Sequence, residues 1–151
     1  MTRPTRYCLG VIWSYGTYEL DDDPARVDVD VVWDFLSTEA YWGKSRTRLD
    51  FEAQLATAWR VVGAYEAATG RLVGFARAIS DGVAYGYLSD VFVTSDARGR
   101  GLGKELLATM VDRGPGARFR WGLHTSDAHG LYQQYGFAAP DDRYLERPGQ
   151  M

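Results

Sequence analysis

The run Arg98-Gly99-Arg100-Gly101-Leu102-Gly103-Lys104 sets three glycines among three cations, directly ahead of an apolar helical pattern. Glycine lacks the Cβ that would hold a ligand away from the main chain, and a helix start presents N–H groups without intrahelical partners. A strand over Val83–Val93, a tight turn and a helix from near Gly101 would aim several of those N–H groups at one point. The chemistry is anion binding, and the site suits a pyrophosphate. Arg98, Arg100 and Lys104 would add positive charge around it. The plain alternative is a glycine-rich turn with solvated arginines.

Two better-known phosphate motifs fail here. A Walker A loop needs a glycine where Arg98 stands and a hydroxyl where Glu105 stands. A dinucleotide fingerprint needs its third glycine at Lys104, and it opens a parallel sheet rather than following an antiparallel meander.

Asp90 is the second chemical candidate. It sits in Tyr87-Leu88-Ser89-Asp90-Val91-Phe92-Val93, an otherwise largely apolar strand. A carboxylate near a sheet interior is either hydrogen-bonded or pushed up in pKa, so Asp90 is a base or an organiser of its strand, and both readings stand. The two histidines are weaker candidates. His124 falls in a predicted strand as a structural residue, and His129 falls on an exposed helix face. Glu19 is more remote still.

These residues need elements to position them. Ser14–Leu20 reads as a first strand, Asp28 or Asp30 as the cap of a short helix to about Leu36, and Leu49–Trp59 as a second helix. Arg60–Tyr65, Arg71–Ser80 and Val83–Val93 then read as a meander, with Asp81-Gly82 as a hairpin turn. The helix after the glycine turn carries Leu102, Leu106, Leu107, Met110 and Val111 and stops at Gly114-Pro115-Gly116. Arg118–Thr125 reads as a strand, and Ser126 or Asp127 as the cap of a helix to about Tyr135. Gly136 ends that helix, Phe137 enters a strand, and Arg143–Arg147 reads as a last strand. The pattern predicts an α+β or mixed α/β fold on one sheet.

Bulk properties bound the rest. A chain of 151 residues fits one domain, here residues 15–147 between an extension at 1–14 and a tail at 148–151. A net charge of −3 argues against a nucleic-acid partner. Cys8 is the sole cysteine, so no intrachain disulfide can form and a reducing, cytoplasmic setting is expected. No apolar run reaches bilayer length, so no membrane partner is expected.

A second segment completes the picture: Ala128-His129-Gly130-Leu131-Tyr132-Gln133-Gln134-Tyr135-Gly136-Phe137. Together with Arg98-Gly99-Arg100-Gly101-Leu102-Gly103, it resembles the GNAT superfamily of N-acetyltransferases. The first segment matches the family's Arg/Gln-x-x-Gly-x-Gly/Ala turn, the second its Ala-x-x-Leu-Tyr-x-x-x-Gly-Phe segment. The resemblance covers residues 60–147 well and the N-terminal part only in element order. Thr125 stands where the family often has Asn, which touches one contact to the pantetheine arm.

The resemblance implies a mixed, mostly antiparallel central sheet flanked by helices, with splayed strands forming a cleft for acetyl-coenzyme A. It implies main-chain bonds from Val91, Phe92 and Val93 to the pantetheine, and the pyrophosphate on the turn from Arg98 to Lys104. An amine would attack the thioester directly, without a covalent enzyme intermediate and without a metal. Tyr132 occupies the position that often protonates the leaving thiolate, with simple packing as its other reading; Asp90 would either take the proton of the amine or order the splayed strand. Tyr41, Trp42, Tyr85 and Tyr87 would line an aromatic pocket for a small-molecule amine, although core packing serves Tyr85 and Tyr87 equally well. Acetylation of a protein lysine or N-terminus is an alternative, as is an acyl-coenzyme A sensor without turnover. Many relatives dimerise, so a homodimer stays open.

Overall fold

The computed structural model describes residues 13–41 and 45–150. Strands β1 (Trp13–Tyr15) and β2 (Tyr18–Asp21) form a hairpin, with Gly16 at φ +57° in the two-residue turn. The periodicity predicts one strand over Ser14–Leu20. The chain instead folds back, because Gly16 adopts the positive φ that a tight hairpin favours at its first turn position. Trp13, expected in the extension, thereby joins the sheet; residues 1–12, Cys8 among them, lie outside the described residues.

Helix α1 (Val29–Thr38) is capped by Asp28, whose carboxylate accepts from the N–H of Val31 at 3.2 Å. Helix α2 (Arg48–Thr57) opens with a reciprocal box in which Thr47 and Asp50 each bond the other's main-chain N–H. Strands β3 (Arg60–Glu66), β4 (Leu72–Ser80) and β5 (Tyr85–Val93) follow as a meander, as the sequence predicts. Helix α3 (Leu102–Val111), strand β6 (Arg120–Leu123) and the short α4 (His129–Gln133) complete the chain.

The six strands lie in sequence order in one sheet, antiparallel throughout except for the parallel pair β5–β6. One face packs on α3 through Leu20, Val62, Val73, Leu106 and Met110. The other packs on α1 and α2 through Val32, Leu36, Phe51, Phe75 and Phe92. Each such side chain removed from water contributes about 1.5–3 kcal/mol. Buried Arg60 ties the sheet to the end of α3, donating from Nη1 to the carbonyls of Thr109 and Met110 at 2.7 and 2.9 Å.

Two predictions fail after β6. The helix expected from Ser126 or Asp127 begins only at His129, and Thr125 Oγ1 instead accepts from the N–H of Ala128 at 3.1 Å. No strand follows β6 among the described residues, neither at Phe137 nor over Arg143–Arg147. Arg143 turns both its N–H and its guanidinium onto Asp141, at 2.9 and 2.6 Å, and this local side-chain turn displaces ladder pairing.

Candidate active site

Strand β5 carries one extra residue. Leu88 pairs with Ala78 and Asp90 with Arg77, so Ser89 is a bulge. The bulge reverses the alternation of faces: Leu88 enters the core against α3, whereas Asp90 meets Arg77 on the side of α1 and α2. Beside the bulge the sheet opens. Strand β6 ends at Leu123, opposite Leu88, while β5 continues to Val93.

Ser89–Val93 therefore keep β4 on one edge and carry no strand on the other among the described residues. The N–H of Thr94 donates to Val73 at 2.8 Å, which fixes the alternation of the ladder. Val91 and Val93 accordingly turn their main-chain groups away from β4. They border a cleft of about 920 Å³, together with Phe35, Arg98, Gly103 and Thr125. The ring of Phe92 stacks on Phe35 at 3.9 Å, so its side chain serves the core.

The predicted anion turn follows β5 after one 3-10 turn at Ser95–Ala97. Gly99 and Gly101 hold φ of +78° and +83°, and no side chain caps the start of α3. Tyr15 donates to the carbonyl of Arg100 at 2.7 Å, and a Cβ on Gly101 would stand 2.6 Å from that hydroxyl. The Leu102 side chain is core, while Gly99 and Lys104 are exposed. The cations divide. Arg98 borders the cleft with Nε donating to the carbonyl of Val93 at 3.0 Å, but Arg100 is drawn back onto the hydroxyl of Tyr18 at 2.7 Å.

Asp90 lies wholly out of solvent between two guanidiniums. Arg46 reaches both of its oxygens, at 2.8 and 3.0 Å, and Arg77 Nε reaches Oδ2 at 2.9 Å. Burial pushes the carboxyl up, but Arg46 and Arg77 outweigh it and hold the group below the usual carboxylate range. Arg77 also donates to Ser89 Oγ at 2.6 Å, which fastens the bulge. Sequence reasoning found the carboxylate and missed both cations; the one available signal was that a buried anion demands a partner.

Tyr132 faces the cleft from α4, its ring edge-on to Phe137. Burial, then Asp127 and Tyr41, push its phenol up, so it holds its proton at neutral pH. Tyr41 reaches across from beyond α1, and its hydroxyl accepts from the N–H of Ser126 at 3.2 Å. Of the other predicted aromatics, Tyr87 shares the cleft, Tyr85 lies over Gly122 in the neighbouring hollow, and Trp42 is outside the described residues.

His124 departs from expectation. It follows the last residue of β6, half exposed, with Nδ1 against the Tyr87 hydroxyl and Nε2 against Glu146. His129 is exposed on α4, as predicted. Among the described residues, no group of three or more His, Cys, Asp or Glu is arranged to hold a metal, and no helix is long and apolar enough to cross a membrane.

Residues 29–137, which include the open strand edge and the uncapped glycine-flanked helix, match a family model, that of the acetyltransferase (GNAT) family. The chain belongs to the GNAT acetyltransferases. A Gibberella zeae protein named "Putative acetyltransferase" is 29% identical over 114 residues, spanning 65% of this chain and 64% of that protein. A Xanthomonas campestris crystal structure, described as a GNAT-family "putative acetyltransferase", is 33% identical with a TM-score of 0.80, covering 90% of this chain and 96% of its own. Glucosamine-6-phosphate N-acetyltransferase from Arabidopsis thaliana shares the fold alone, at 15% identity and TM-score 0.56 over 87% of this chain and 98% of that one. The GNAT fold expected from the two sequence segments is thus the observed one.

Proposed function

We propose that the cleft binds acetyl-coenzyme A and that the protein transfers the acetyl group to a primary amine of a small molecule, by direct attack within a ternary complex. One observation carries this reading: the open edge of β5 leads, through one short 3-10 turn at Ser95–Ala97, to the uncapped N-terminus of α3 across Gly99 and Gly101. A pantetheine arm offers amides that such an edge would pair with at Val91 and Val93. A diphosphate suits the N–H groups of the Gly99–Gly103 turn. The space fits as well, since nothing lies within 4 Å of the point where a Cβ on Gly99 would stand.

When bound, the cofactor supplies an acyl carbon activated as a thioester. The chain supplies position and protons. Tyr132 stands protonated at the cleft and would donate to the departing sulfur. Asp90 is better suited to anchoring than to base catalysis, because two guanidiniums occupy its oxygens and favour its charged form. The bond from Ser126 to Tyr41 crosses the cleft, which favours a compact acceptor over an extended peptide.

Two assays test the reading together. Calorimetry should detect binding of acetyl-coenzyme A and of free coenzyme A, and an amine panel should release thiol and yield acetylated product. Binding without product from any amine would favour an acyl-coenzyme A sensor. Absence of binding would overturn the proposal.

A further inference from the structure

We infer that Tyr87, His124 and Glu146 form a relay that removes the proton of the incoming amine, with Tyr87 the group that meets it; the inference rests on the acetyl-transfer reading of the cleft. Two observations carry it: place and orientation.

The three residues converge at the point where the sheet parts. Leu88 and Leu123 form the last pair between β5 and β6. Tyr87, paired with Gly122, lies one residue inside the ladder and His124 one residue beyond it, and both border the cleft. Glu146 arrives from the irregular segment after α4, a stretch whose sequence predicts a last strand.

The hydrogen-bond directions are fixed by elimination. The bond from His124, then that from Tyr144, holds the Glu146 carboxyl below its usual range, so it is an anion that can only accept. His124 Nε2 therefore carries the hydrogen and donates to it at 2.5 Å. In a neutral imidazole the other nitrogen is then bare, so Nδ1 accepts from the Tyr87 hydroxyl. Tyr87 keeps its oxygen lone pairs for the cleft. Burial pushes its phenol up, so it gains a proton-accepting role only by passing its own proton to His124.

The groups facing this chain complete the electrostatics. Tyr85 stands beside Tyr87 on β5, and Tyr144 donates to Glu146 at 3.1 Å. Tyr132 and His129 border the adjoining hollow from α4. Glu146 is the carboxylate that steadies an imidazolium here, the orienting role of the third member in a triad. Asp90 is committed to Arg46 and Arg77, and these two cations would repel an ammonium.

The protons balance. An alkylammonium passes one proton to the Tyr87 oxygen as the Tyr87 proton moves to Nδ1, and half-exposed His124 returns it to water. The freed amine nitrogen forms its bond to the acyl carbon while the carbon–sulfur bond breaks. Tyr132 gives its proton to the sulfur and regains one from the nitrogen.

Nitrogen NMR of the imidazole rings and steady-state kinetics test the relay. In the unliganded protein, His124 should show a protonated Nε2 and a bare, hydrogen-bonded Nδ1, and Tyr87→Phe should shift the Nδ1 resonance. Tyr87→Phe and His124→Gln should each lower kcat roughly a hundredfold, and Glu146→Gln roughly tenfold, with acetyl-coenzyme A affinity unchanged. His129→Gln should match wild type. A hydrogen found on Nδ1, or a His124→Gln enzyme with full kcat, overturns the relay while leaving cofactor binding and transfer intact. A wild-type protein that does not bind the cofactor removes the transfer reading first, and the relay with it.

Discussion

Arg77 Nε lies 2.9 Å from Asp90 Oδ2, and each of the two side chains is at most 2% exposed. The pair is a gain only while both charges persist, because a lone buried charge is costly. Asp90→Asn leaves Arg77 and Arg46 facing a neutral amide. It should cost about 3–5 kcal/mol, read by urea or thermal unfolding. The folded-state carboxyl titrates below its unfolded value, so its stabilising contribution is complete above about pH 4 and disappears as pH falls through the folded value. The stability gap between wild type and Asp90→Asn should therefore narrow as pH falls along that path. The variant should also keep the shape of the pH–rate profile. A lost pH limb would restore Asp90 as the base.

The two turn glycines should respond differently to alanine. Both hold a positive φ, a conformation that costs a residue with a Cβ about 1–2 kcal/mol. At Gly99 the added methyl meets open space, whereas at Gly101 it meets the hydroxyl of Tyr15. Gly101→Ala should thus destabilise more than Gly99→Ala in paired melts. Both should weaken coenzyme A binding by calorimetry, since each pushes a side chain or a shifted main chain into the anion turn. Equal melting with unchanged affinity would contradict this.

Tyr132→Phe removes one oxygen and keeps the packing against Phe137. The acyl-transfer rate should fall roughly tenfold to a hundredfold with cofactor affinity unchanged. Burial of the phenol extends its protonated range upward, so the wild-type acid should persist into alkaline solution. A variant with wild-type turnover at every pH would leave Tyr132 a packing residue.

Legibility along the chain follows the range of the interactions. Helix α3 and the meander β3–β5 were readable because periodicity and the Asp81-Gly82 turn are local signals. The turn from Arg98 to Lys104 was readable for the same reason: glycine spacing before an apolar run is a statement about neighbouring residues. The partners of Asp90 were not, since Arg46 stands 44 residues away and looks like an ordinary loop cation. Glu146 was hidden by a misread element: β-propensity suggested a strand over Arg143–Arg147, and the Arg143–Asp141 turn prevailed. The hairpin at Gly16 shows the opposite lesson, because a single glycine inside a short polar–aromatic run was enough to reverse the chain.

Arg60 offers a test remote from the chemistry. It is 7% exposed and satisfies two carbonyls at the end of α3 while pairing with Asp22. Arg60→Gln removes the charge from a helix C-terminus and leaves acceptors unpaired, at about 2–3 kcal/mol. Thermal melts should register that loss, and coenzyme A affinity below the transition should not change. A variant as stable as wild type would show that water replaces these bonds.

The most direct test of the cofactor cleft is a residue-resolved amide NMR titration with coenzyme A. The amides of Val91 and Val93 and those of Gly99 to Gly103 should move together and saturate with a single affinity, while β1 and the β3–β4 loop stay still. Spectra that do not change at saturating ligand, or that change only on other surfaces, would contradict the assignment of this cleft.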